Sequence, residues 1–124
     1  MRHSKSTEHD HQSTVFDFAR SMQHIEPRLK MLIAIPNAAK RSYALANYMR
    51  KEGLAKGFPD IALFCQSANK LYNAMFIEMK SDTGRATQDQ VDWINLLGRH
   101  HYFACICRGA DRAIEMIKLY LGMQ

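Results

Sequence analysis

The sequence predicts an α/β protein in which a mixed β-sheet is flanked by helices, in the order α-β-α-β-β-α-β-α. Three observations favour this class: a helical spacing of apolar residues near the N-terminus, short apolar runs rich in β-branched residues, and helical patterns between those runs. The apolar face of each helix must be buried, and it is buried when the helices pack on the two faces of a sheet.

The composition is that of an ordinary globular protein. The 124 residues are 47% apolar and 23% charged, so we expect one domain over residues 1–124 with its own core. The longest apolar runs are too short for a membrane span, and the first dozen residues are too polar for a secretory signal. We therefore expect a cytoplasmic protein without a membrane partner. The net charge of +5 is a weak indication of a polyanionic partner.

The first half of the chain is predicted to form helix, strand and helix. Residues at 4-3-4-3 spacing define one helix face over about residues 6–22, and this face is polar in its first turn and apolar afterwards. Pro27 marks a break before a strand over residues 31–35, which Pro36-Asn37 ends. A second helix is predicted over residues 40–51, with Gly53 near its C-terminus. The first helix face consists of Glu8, Gln12, Val15, Ala19 and Met22.

The second half is predicted to form two strands, a helix, a strand and a helix. Strands over residues 61–65 and 71–79 are joined by a polar turn at 66–70. Thr87 opens a helix that runs through Leu97. A strand over residues 101–107 and a helix over residues 110–121 complete the chain.

The two central strands form a hairpin if they pair antiparallel about Asn69. Asp60 and Glu78 then stand opposite each other, since both lie nine positions from the centre, with Cβ atoms about 4.5–5.5 Å apart. Lys80 lies two residues after Glu78, so the pleat places both side chains on the same face. The sequence therefore predicts two carboxylates and an ammonium group at one end of a hairpin.

This arrangement suits the hydrolysis of phosphodiester bonds. Neighbouring carboxylates repel each other unless a cation lies between them, and carboxylate oxygens are preferred ligands of Mg²⁺. A bound metal polarises phosphate and makes water more acidic, and a lysine can offset charge that develops at phosphorus. An ExK triplet is also common by chance, and Pro59-Asp60 is a frequent turn dipeptide. Spacing alone leaves the catalytic and the solvated interpretations open.

Short motifs follow one another in a specific order along nearly the whole chain. They are Glu8 and Gln12, Ile35-Pro36-Asn37, Lys40-Arg41-Ser42, Gly53, Gly57-Phe58-Pro59-Asp60, Phe76-Ile77-Glu78-Met79-Lys80, Gly84-Arg85, and Gln90 with Trp93. In this order and spacing the chain closely resembles the virus-type replication-repair nuclease (VRR-NUC) family, a branch of the PD-(D/E)xK nucleases. The resemblance implies a restriction-endonuclease-like core.

The resemblance also implies roles for individual residues. Asp60 and Glu78 would bind Mg²⁺, with Mn²⁺ able to substitute, Lys80 would assist the attacking water, and Glu8 would complete the acidic centre. Gln90 matches a glutamine close to the active site. The chain departs from the commoner family pattern at Ala38-Ala39, where glycines are usual, and at Ala74-Met75, which replaces a frequent Gly-Leu. These changes concern substrate contacts more than chemistry.

Several of these residues have a structural alternative. Glu8 could favour a helix N-terminus through the helix dipole. Gln90 stands three residues after Thr87, which is the spacing of a capping box, and both roles can coexist. Lys40 and Arg41 could meet a DNA phosphate at a helix start or could form a solvated face. The histidines show no zinc-ligand spacing and are expected at the surface.

The cysteines do not indicate a functional site. Cys65, Cys105 and Cys107 form no CxxC pair, and cannot all be matched in disulfides. Cys105 and Cys107 alternate within an apolar run, so they share one face of a strand. We expect buried, reduced thiols.

The function that these observations favour is a structure-selective DNA endonuclease. Free-standing members of the family resemble Holliday-junction resolvases, are typical of phages and tend to form homodimers, so branched DNA is the expected substrate. A phage protein would act in the cytoplasm of the bacterial host. One alternative is a non-catalytic nucleic-acid-binding module that keeps the fold. A metabolic α/β protein is another, but the chain has no nucleotide-binding glycine pattern.

Overall fold

The computed structural model describes residues 6–36 and 42–124. The order of helices and strands confirms the predicted α-β-α-β-β-α-β-α arrangement and adds a 3₁₀ turn, Pro27–Met31, between the first helix and the first strand. The elements are α1 Glu8–Met22, β1 Leu32–Ala34, α2 Tyr43–Lys51, β2 Ile61–Leu63, β3 Met75–Lys80, α3 Gln88–Arg99, β4 Phe103–Arg108 and α4 Ala110–Leu121.

The four strands form a mixed sheet in the order β1-β2-β3-β4. β1 and β3 both run antiparallel to β2, and β4 runs parallel to β3. Ile61 pairs with Ile77, and Leu63 pairs with Met75. The positions of each pair lie at equal distances from residue 69, so the predicted register of the hairpin is confirmed.

The sheet has a helix layer on each face. On one face α1 and α4 cover the larger core, to which α1 contributes Val15 and Ala19, and α4 contributes Ala113 and Ile117. The other face carries a smaller core with many aromatic rings near α3. Its members are Ala62, Ala74, Phe76 and Leu97, with Ile35, Phe58, Trp93, Tyr102 and Ala104 packed against them.

The strands are shorter than the sequence pattern predicts. β2 ends at Leu63 rather than at residue 65, and β3 begins at Met75 rather than at residue 71. Residues between these two strands bond to one another: the Ser67 hydroxyl donates to Asn69 and accepts from the Tyr72 N–H. Such local side-chain bonds compete with the bonds of a sheet.

The helix starts are set by capping residues. Thr7 and Thr87 cap α1 and α3 rather than belonging to them, and each forms a capping box. Ser42 caps α2, so this helix begins at Tyr43, and the predicted start at residues 40–41 lies outside the described residues. No helix within residues 6–36 and 42–124 is long and apolar enough to cross a membrane.

Candidate active site

Three carboxylates converge where β2 begins and β3 ends. Extending the β2–β3 register by one pair places Asp60 opposite Glu78, and the first turn of α1 brings Glu8 to the same place. One oxygen from each of these side chains lies within 4.8 Å of the other two. Asp60 and Glu78 are buried, whereas Glu8 is partly exposed. The predicted convergence of these acidic groups is thus present.

The backbone around Asp60 holds its carboxylate in place. Its Oδ2 accepts a hydrogen bond of 2.8 Å from the Met79 N–H. The Asp60 carbonyl accepts one of 2.7 Å from the Ile35 N–H. The preceding loop packs tightly on α3, because Gly57 has φ +81° and a Cβ there would lie 2.7 Å from the Asp89 Cβ. This close approach needs glycine and joins the Asp60 loop to the first turn of α3.

Lys80 lies between two of the carboxylates. Its Nζ is 3.6 Å from Glu78 Oε2 and 3.9 Å from Glu8 Oε1. Lys80 is only 7% exposed, and a buried lysine charge is costly unless carboxylates accompany it. The lysine therefore offsets part of the negative charge of the cluster.

Glu78 is the most strongly perturbed group of the cluster. Its pKa is raised to about 9, mainly by burial and then by the charge of Asp60, a hydrogen bond with Asp60 and the charge of Glu8, while the charge of Lys80 acts in the opposite direction. Within the described part of the chain, Glu78 Oε1 is buried without a hydrogen-bond partner. A carboxylate of this kind is stabilised by a cation that approaches its free oxygen.

The Gln90 amide contacts both the helix cap and the cluster. Its Oε1 accepts a hydrogen bond of 2.8 Å from the Thr87 N–H, which is half of the capping box. Its Nε2 donates to Glu78 Oε2 at 3.2 Å. Gln90 therefore contacts the helix cap and Glu78 at the same time, and its role in the reaction stays a prediction.

The donor set fits a hard divalent cation. Three carboxylates offer only oxygen ligands, which Mg²⁺ and Mn²⁺ prefer to sulfur or nitrogen. The unpartnered Glu78 Oε1 provides a ligand atom already withdrawn from water. The side chains that would hold a cation are Glu8, Asp60 and Glu78.

Comparison with known proteins identifies the family. A family model described as "VRR-NUC domain" matches residues 9–111. The chain belongs to the VRR-NUC family. A solved structure described as "VRR_NUC domain protein" has a TM-score of 0.81 to this chain at 23% identity, covering 98% of this chain and 93% of that one. At this identity the likeness establishes the fold. No curated protein matches the chain.

Membership of the VRR-NUC family makes this a nuclease domain with an implied DNA substrate. The matched range contains Asp60, Glu78, Lys80 and Gln90, and Glu8 immediately precedes it. The acidic cluster is consistent with a metal-dependent hydrolase.

One predicted site residue of this VRR-NUC domain lies beside the cluster rather than in it, and two others cannot be placed. Gln12 is half-buried and lines a groove that opens onto Asp60, so it is near the acidic centre without belonging to it. Lys40 and Arg41 lie outside the described residues.

One histidine occupies a position that the sequence did not indicate. His11, expected at the surface, is half-buried, and its Nδ1 accepts a hydrogen bond of 3.1 Å from the Ala110 N–H at the start of α4. Gly109, which precedes α4, has no side chain to cap it. No spacing rule could find this contact, because the two residues are far apart along the chain.

The cysteines are free thiols. The Sγ atoms of Cys105 and Cys107 are 3.6 Å apart on one face of β4, as the alternation predicts. Cys107 is buried, whereas Cys65 and Cys105 are half-buried. They pack within the core and against it, as small apolar side chains do.

Proposed function

We propose that this VRR-NUC chain is a divalent-metal-dependent DNA endonuclease whose reaction centre is formed by Glu8, Asp60, Glu78 and Lys80. The observation that carries this proposal is a buried lysine within a cluster of three carboxylates. A plain core rarely contains so many buried charges, because each costs several kcal/mol of desolvation free energy. Function is the better explanation of this concentration.

Glu8, Asp60 and Glu78 would hold the metal, Mg²⁺ in the first instance, with Mn²⁺ able to replace it. A bound divalent ion would polarise the scissile phosphate and make a nearby water more acidic. The raised pKa of Glu78 means that burial and the charge of Asp60 disfavour its ionised form, and a cation at its oxygens would favour that form.

Lys80 would act on the attacking side of phosphorus. In hydrolysis a water oxygen forms a bond to phosphorus, the bond from phosphorus to a sugar oxygen breaks, and negative charge grows on the phosphoryl oxygens. An ammonium group fixed between Glu8 and Glu78 can orient the water and offset that charge. Gln90 would hold Glu78 in the orientation that this requires.

The substrate that we propose is branched DNA, such as a four-way junction. This part of the proposal rests on the paired cuts that a two-fold dimer could make, with two equivalent sites facing two strands. The dimer itself is supported by α2, which buries Ala46 but exposes Tyr43, Leu45 and Tyr48. Leu45 and Tyr48 are three positions apart and share one side of the helix, and an exposed apolar pair of this kind is typical of a protein interface.

Purified protein should cleave branched DNA in a metal-dependent way. We expect cleavage of flaps, forks and four-way junctions with Mg²⁺ or Mn²⁺, faster than cleavage of a duplex of equal length, and none with EDTA. Metal-independent binding without cleavage would instead favour the alternative function, a nucleic-acid-binding module that keeps the nuclease fold.

Lys80→Ala tests the assigned centre. We expect cleavage to fall by about 10²-fold or more, since the lost charge acts mainly in the transition state, while DNA binding stays nearly unchanged. Lys56→Ala is the matched control, because Lys56 also pairs with a carboxylate, Asp89 at 3.4 Å, but this pair is exposed and includes no residue of the cluster. Normal cleavage by Lys80→Ala in a single-turnover assay would show that the centre is wrongly assigned.

A further inference from the structure

A groove of about 710 Å³ leads away from the acidic cluster. Its floor reaches Asp60, one wall is the exposed side of α1, and the other wall is formed by Ala34, Ile35 and Pro36 at the end of β1. The groove is therefore continuous with the proposed reaction centre, and its side chains other than Asp60 are not used by that centre.

The two walls differ in chemistry. The α1 wall carries a line of side chains at 4-3-4 spacing, namely His9, Ser13, Phe16 and Arg20, which places them on one side of the helix. Three of these can donate hydrogen bonds to phosphate oxygens. The described residues of the β1 wall have no polar side-chain atom. A groove with donors on one wall and an apolar surface on the other suits a nucleotide chain.

Phe16 provides the surface for a base. Phe16 lines the groove and also packs against the main core. A base presents its face to an aromatic ring only when it has left the stack of a duplex. The row of α1 side chains from His9 to Arg20 extends about 16 Å along the helix, and one stacked nucleotide occupies ~3.4 Å. The row is therefore long enough to contact more than one nucleotide.

Arg20 provides the positive charge. It lies 3.3 Å from Asp17 in an ion pair whose two side chains are 69% and 77% exposed. Such a pair contributes little free energy, so the guanidinium can turn to a phosphate at low cost. Asp17 also lines the groove, and its charge opposes a phosphate there.

We propose that this groove binds an unpaired nucleotide of the strand being cut, with the base against Phe16 and a phosphate at Arg20. The proposal rests on the proposed function, because it takes the strand to start at the acidic cluster. It makes the groove the feature that distinguishes branched or single-stranded DNA from an intact duplex.

Binding measurements with matched variants test this. Fluorescence anisotropy in EDTA, where no cleavage occurs, compares a duplex with a fork of the same length that has one unpaired arm. We expect Phe16→Leu, which keeps an apolar side chain against the core, to weaken fork binding by roughly tenfold and to leave duplex binding unchanged. Arg20→Ala should act in the same direction, and Asp17→Asn should tighten fork binding. Arg112→Ala is the control, since Arg112 forms a similar exposed pair with Glu115 outside the groove.

A set of forks with a single abasic position identifies the base that contacts Phe16. At one position in the unpaired arm, removal of the base should abolish the effect of Phe16→Leu, which a purely structural role of Phe16 would not do. Equal losses on fork and duplex, or no loss in either groove variant, would overturn the proposal. The two proposals can fail separately. If the wild-type chain cleaves forks and the groove variants bind them normally, only the groove proposal is overturned. If the chain never cleaves DNA but shows the abasic effect, only the proposed reaction is overturned.

Discussion

Gln90 shows how much one side chain can contribute to this site. The amide has a carbonyl oxygen and two N–H donors, and here the oxygen completes the cap of α3 while the nitrogen donates to Glu78. A glutamate at this position could still accept the cap bond but could not donate to a carboxylate. The residue type therefore follows from two contacts at once.

Gln90→Ala and Thr87→Ala separate these contacts. Each variant removes one bond of the capping box, so each should lower the free energy of unfolding by about 1 kcal/mol. Only Gln90→Ala also removes the hydrogen bond to Glu78, and we expect it to reduce cleavage by roughly tenfold, the loss of one bond to a charged group. Urea unfolding and single-turnover cleavage measure the two effects. Equal loss of cleavage in both variants would mean that Gln90 acts only through its helix.

At the scale of elements, the corner between β4 and α4 connects α1, which carries Glu8, to the end of β3, which carries Lys80. The Gly109 N–H donates to the Lys80 carbonyl at 3.0 Å, and the next N–H, of Ala110, donates to His11 on α1. His11 lies one turn from Glu8. The imidazole therefore replaces the missing side-chain cap of α4 and ties α1 to the end of β3.

His11→Ala should affect both stability and metal binding. Loss of the cap should lower the free energy of unfolding by about 1 kcal/mol. It should also weaken Mn²⁺ binding, because the first turn of α1, with Glu8, is held less firmly. His11→Asn, whose Oδ1 can accept the same bond, should recover most of the loss. Electron paramagnetic resonance of free Mn²⁺ measures the affinity.

His24→Ala is the control for this experiment, since His24 is an exposed histidine beyond the end of α1. Mn²⁺ affinity that is unchanged in His11→Ala, despite lower stability, would restrict His11 to a structural role.

At the scale of the whole molecule, α2 is the least buried helix. Ala46 is its buried residue, while Tyr43 is 83% exposed and Tyr48 is 64% exposed. Such apolar exposure on an amphipathic helix is explained when a second protein surface covers it. The expectation that residues 1–124 form one domain stays a prediction at this scale.

Tyr48→Glu tests whether α2 forms the proposed dimer interface. We expect the wild-type chain to be a dimer and the variant a monomer, because a buried unpaired carboxylate opposes association. Leu119→Glu is the matched control, since Leu119 on α4 is 65% exposed but lies on another helix. Sedimentation equilibrium measures the mass. A wild-type monomer, or equal behaviour of both variants, would contradict this interface.

The sequence by itself determined the strand and helix order and the facing of Asp60 and Glu78. Both follow from local rules: strands and helices have different apolar periods, and an antiparallel pair about Asn69 has one register. The capping box at Thr87 is equally local. The length of β3 was less predictable, because hydrogen bonds among Ser67, Asn69 and Tyr72 decided where the strand begins.

Only the tertiary structure decided how α1 lies on the sheet. Burial of Val15 and Ala19 in the main core orients this helix, and that orientation brings Glu8 to Lys80 and turns Phe16 towards the groove. The spacing of Glu8, Val15 and Ala19 records a shared helix face, and the family resemblance pointed to Glu8, but the contacts themselves depend on packing between segments that are distant along the chain. The hairpin carboxylates were thus local information, whereas the position of Glu8 beside Lys80, the His11 cap and the groove required the folded core.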